Sequence, residues 1–172
     1  MRPTNENLAL LDNVKYLYLR ALSEPSDNSL VLVVEEATIN RSRNLNLEAD
    51  SRLSSVLRET GILESAYPIE STEACRAFKL YWKRYAAYLV TEELVGSNGR
   101  GYDDEVYAGK LLRLYTKSHF LDHLARNTGG HLSPIQHYKL VCLNHLIDVA
   151  AYEPPEIDLV TDLPDVGRFR AI

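Results

Sequence analysis

Cysteine is scarce in this chain. There are two, Cys75 and Cys142, and neither belongs to a C-x-x-C pair. Nothing therefore suggests a disulfide framework, and a reducing compartment is favoured. No run approaches the roughly 18 uninterrupted apolar residues of a membrane span. The opening Met1–Asn7 is polar and lacks the apolar centre of a signal peptide. A soluble, cytoplasmic protein is therefore expected, with no membrane partner. A basic excess is missing too: the net charge is −5. Nucleic-acid binding is not expected, because it needs a dense cationic surface to displace counterions. Histidine is absent outside one stretch, since all five lie between His119 and His145.

The length of 172 residues suits one domain with a real core, and 45% hydrophobic and 25% charged residues argue against general disorder. The expectation is a single domain over residues 1–172, with a compact body at 14–151 and an extended acidic arm at 152–172. Val14–Leu22 alternates as a half-buried strand does, with Leu17 and Leu19 opposite Tyr16, Tyr18 and Arg20. A dense turn signal at Ser23–Ser29 separates it from Leu30–Val34, a continuous run that reads as an interior strand. A short helix is expected from Ala49 to Thr60. Residues 75–95 fit both periods, and their aromatic content favours two strands with a turn near Lys83-Arg84. A further strand is read at Ala108–Lys117. Ser118 then reads as the N-cap of a helix to about Arg126.

Ser133-Pro134-Ile135-Gln136 reads as a capping box with proline at the first helical position. It predicts a long helix to about Ala151, whose apolar side carries Leu140, Leu143, Leu146, Ile147 and Ala150. An added edge strand is suggested at Ile157–Val160. The resulting fold class is α+β: an antiparallel sheet of about four to six strands packed against this long C-terminal helix, with shorter helices at the margins.

On that helix His137, Asn144 and Asp148 share a narrow sector, with His145 to one side. They read as a buried polar network pinning helix to sheet, or, in the alternative, as a catalytic group of His137, His145 and Asp148. His119 and His123, four apart with Asp122 between them, could grip a divalent metal with Glu36. The glutamate of H-E-x-x-H is missing, however, so the wet side of an ordinary helix is the plainer reading. Gly96–Gly101 has neither the order nor the lysine-serine pair of a phosphate loop.

The 11 tyrosines outnumber three phenylalanines and one tryptophan. Tyrosine combines contact area with a hydrogen-bonding tip, so Tyr16, Tyr18, Tyr81, Tyr85 and Tyr88 are the candidate binding residues. The expected function is a small cytoplasmic binding module acting through a protein–protein interface, such as an inhibitor or immunity-type partner of a basic protein. It would be non-enzymatic and without a cofactor, and a homodimer is a further option. The alternative is a divalent-metal-dependent hydrolase or nuclease using the histidine cluster and strand-end carboxylates.

Overall fold

The computed structural model describes residues 6–42, 67–96, 104–129 and 134–161. The helix expected at 49–60, the glycine-rich segment and the far C-terminal arm lie outside these residues. The chain divides into two compact units, one formed by Met1–Glu36 and Arg76–Val166, the other by Ala37–Cys75 and Gly167–Ile172.

The first unit is mostly β. Its elements in chain order are α1 (Glu6–Asn13), β1 (Tyr16–Ser23), β2 (Leu30–Ile39, which runs on into the second unit), β4 (Ala77–Trp82), β5 (Tyr85–Glu92), α2 (Glu93–Gly96), β6 (Val106–Ala108), β7 (Leu112–Lys117), α3 (His119–Asn127), β8 (Gln136–Val141), β9 (His145–Ala151) and β10 (Glu156–Val160). One sheet runs β1-β2-β4-β10, and the other β5-β9-β8-β7-β6. In the second unit β3 (Ile69–Glu70) pairs with Thr38 and Ile39 of β2.

Alternation explains the core. Leu17 and Leu19, Leu30, Leu32 and Val34, and Phe78, Leu80 and Trp82 come from one sheet. Tyr138 and Leu140, with Ile147, Val149 and Ala151, come from the other, and all belong to one buried cluster. Trp82 and Tyr138 meet with ring centroids 6.1 Å apart. The turn into β2 places Asn28 at φ 60°, a left-handed conformation that asparagine tolerates. Gly109, at φ 104°, provides the bend between β6 and β7.

The strand pair expected in 75–95 is present as β4 and β5, which join different sheets. The fold class is corrected. There are two antiparallel sheets in place of one, and the long C-terminal helix does not exist. Gln136–Val141 and His145–Ala151 form a hairpin instead, in register from Gln136↔Ala151 to Val141↔Leu146. The physical reason lies in burial: six of the seven residues of β9 are buried, so both of its faces are covered. A strand covered on both faces loses the alternation that identifies it, and its leucines then also fit a helical wheel. Pro134 precedes β8, where a strand tolerates a residue without an N–H.

Replacing Trp82 by Ala removes the largest side chain at the centre of the core. Urea unfolding should show a loss of about 3–5 kcal/mol. The far-ultraviolet circular dichroism of the wild type should be dominated by strand.

Candidate functional site

On the β8–β9 hairpin the inner side chains enter the core, and the outer ones, His137 and Lys139 on β8 and Asp148 on β9, form a polar chain. His137 Nε2 lies 2.7 Å from Asp148 Oδ1. His137 Nδ1 lies 2.7 Å from Ser118 Oγ. Lys139 Nζ, directly across the ladder from Asp148, reaches the same carboxylate oxygen at 3.1 Å. Ser118 is in place because it caps α3: its side chain accepts from the Leu121 N–H at 3.1 Å. Tyr115 stacks on the imidazole at 4.3 Å, and Phe120 covers it from α3 at 5.2 Å. Every group is satisfied when Nε2–H donates to Asp148 and the Ser118 hydroxyl donates to Nδ1.

Serine, histidine and aspartate in a row are the residue types of a nucleophilic site. Here their exposures are 5%, 1% and 7%. A nucleophile must meet its substrate, and this hydroxyl is turned inward as a helix cap. The arrangement therefore ties α3 to the outer face of the sheet and holds the Lys139 ammonium in a fixed place. Burial also pushes the Cys142 thiol far above its ordinary range, leaving it un-ionised.

The remaining candidates are dispersed. Asn144 sits in the β8–β9 turn and bonds the backbone of β1, accepting from Leu19 N at 2.9 Å and donating to Leu19 O at 3.1 Å. His145 lies three residues from Asp148 on a strand, so the two point to opposite faces. His119 Nε2 lies 2.6 Å from Asp104 Oδ1, whereas His123 Nε2 meets Asn127 Nδ2 at 2.9 Å. Asp122 stands in the first turn of α3, where the helix dipole favours a negative charge. Glu36 is held by Arg76, with Nε–Oε2 2.9 Å and Nη2–Oε1 3.2 Å. Among the described residues no group of three or more His, Cys, Asp or Glu could hold a metal ion.

The tyrosines divide between the sheets. Tyr16, Tyr18 and Tyr81 alternate with core residues of β1 and β4, so they lie on the outer face of their sheet. Tyr85 and Tyr88 pack against the core from β5, with ring centroids 5.2 Å apart, and the Tyr88 hydroxyl donates to Glu24 at 2.8 Å. The larger apolar exposure lies beside them. Leu89 is 50% exposed on β5, Leu94 and Val95 of α2 are 65% and 68% exposed, and Val90 is also exposed. β5 is the terminal strand of its sheet.

Two edges of the other sheet carry covering contacts, whereas the three-residue edge strand β6 is exposed. Asn144 and the N–H of Leu143 cover the backbone of β1, and Asn7 donates to Ile157 O on β10 at 2.7 Å. The role of Ser118 beside His137 went unread because it depends on the register Tyr115↔His137 between β7 and β8, which a helix over β8 conceals. The exposed run Leu89-Val90 was hidden for a similar reason, as only the sheet order marks β5 as an edge. Among the described residues no helix is long and apolar enough to cross a membrane.

Asp148→Ala strips the partner from both His137 and Lys139. Unfolding measurements should report a loss of about 3–5 kcal/mol, the usual result of breaking a buried pair. Ser118→Ala should cost about 1–2 kcal/mol through the lost cap. Arg76 holds the Glu36 carboxyl below its ordinary 4.5, chiefly by a side-chain hydrogen bond. A depressed acid contributes stability above its unfolded pKa and loses it as pH falls through the folded one. Stability should thus decline below about pH 4.5 in the wild type, and Glu36→Gln should lower the neutral-pH plateau and flatten that acid limb.

Compared with protein-family models, curated proteins and solved structures, the chain matches none.

Proposed function

We propose that this protein is a non-catalytic binding module that engages another protein through the β5 edge. The observation that carries this reading is the eight-residue terminal strand β5 with Leu89 and Val90 exposed on it and Leu94 and Val95 exposed immediately after it. Soluble proteins guard such edges with charge, bulges or covering segments, because an open edge recruits other strands. An eight-residue apolar edge, longer than the three-residue edge β6, suits addition of a partner's extended segment, whose main chain pairs with β5 while its apolar side chains meet Leu89 and Val90. Glu92 and Glu93, together with the net charge of −5, favour a basic partner. Both cysteines are free, which accords with a cytoplasmic setting.

Selection from a random peptide library supplies the test. Selected peptides should alternate apolar residues and carry lysine or arginine. Bound, they should slow hydrogen exchange of the β5 amides, and Leu89→Lys should weaken them by about tenfold or more, as loss of a buried apolar contact to a charge implies. Selected peptides that protect a different strand, with Leu89→Lys without effect, would refute the reading. Light scattering of the free protein shows whether a second copy occupies the same edge.

A further inference from the structure

A cleft of about 430 Å³ opens in the first unit, within the size range of small-molecule sites. Its described polar walls are Lys15, Arg113, Lys139 and Glu93, and its apolar lining includes Leu111, Val141 and Leu146. An acidic chain has gathered three cations here.

Their pairing is uneven. Lys139 is matched by Asp148 at 3.1 Å. Arg113 stands directly opposite Lys139 across the β7–β8 ladder, a like-charge pairing that is unfavourable unless an anion lies between or beside them. The Arg113 Nε donates to Lys110 O at 3.2 Å and its guanidinium lies over the Tyr107 ring at 4.5 Å. Lys15 lies over the Tyr16 ring at 5.1 Å. Among the described residues no carboxylate forms an ion pair with Arg113 or Lys15. Glu93 cancels one of these two charges, and Asp148 cancels Lys139. One positive charge remains in excess, above a floor of branched aliphatic side chains.

We propose that this cleft binds a monoanionic carboxylate bearing an apolar tail. The carboxylate lies between Arg113 and Lys15, whose planar fork and mobile ammonium complement its two oxygens. The tail rests on Val141, Leu146 and Leu111. The buried chain Ser118–His137–Asp148 positions Lys139, so one wall of the site is set before the ligand arrives. Glu93 selects against dianions. The cleft borders the peptide-accepting edge at Glu93, and the octanoate titration tests it independently of the peptide selection.

Isothermal titration with octanoate, octanol and acetate on the full chain provides the test. Octanoate should bind at one saturable site, while octanol, which lacks the charge, and acetate, which lacks the tail, should bind far more weakly. Arg113→Ala should weaken octanoate by about tenfold or more, the usual worth of a charge-assisted hydrogen bond. Lys15 is exposed and its ammonium touches only the Tyr16 ring among the described contacts, so Lys15→Glu should abolish binding in a fully folded protein. Glu93→Gln should tighten octanoate and admit octyl phosphate. No saturable binding of octanoate, or binding that Arg113→Ala and Lys15→Glu leave unchanged, would overturn the proposal.

Discussion

The constraint on which most of this structure rests is the two-residue period of the β8–β9 hairpin. On one side it commits Tyr138, Leu140, Ile147, Val149 and Ala151 to the core shared with Phe78, Leu80 and Trp82. On the other side it brings His137, Lys139 and Asp148 within hydrogen-bonding reach. A slip of one residue would exchange these faces, taking the aliphatic set out of the shared core and placing an imidazole, an ammonium and a carboxylate in it. The polar chain therefore specifies register as well as contributing contacts, because only one alignment satisfies all of its groups.

Much of the first half of the described fold was legible in the sequence. Leu17 and Leu19 alternate with tyrosines on a strand with one polar face, and the turn signal before Leu30 is dense. The cap at Ser118 was legible because its rule is local: a hydroxyl before an amphipathic run. The C-terminal hairpin was not legible, since its identity depends on what covers it. With Leu146, Ile147, Asp148, Val149 and Ala150 all buried, a helical stripe and a two-sided strand produce the same string of letters. A proline after a serine then supplied a helix start that tertiary packing overrode.

The same misreading shaped the candidate site. A helix gathers His137, Asn144 and Asp148 into one sector, whereas strands keep His137 with Asp148 and send Asn144 to β1. Half of the polar group was therefore found for a reason that does not apply. Ser118 and Lys139 joined it only through strand register. Along the outer face one register row runs Arg113, Lys139, Asp148 and Leu89 across β7, β8, β9 and β5. It passes from a cationic wall through a neutralising acid to an exposed apolar edge, which sets the two proposed surfaces on a common strand framework.

The contact between Asn144 and Leu19 spans 125 residues of chain, and that between Asn7 and Ile157 spans 150. During synthesis the first strands leave the ribosome long before the segments that cover their backbone exist. Such non-local closure comes late, after a costly search for distant partners. The nascent N-terminal half must wait with an open sheet margin until the final hairpin emerges, and in that interval the chain is most vulnerable to association with its neighbours.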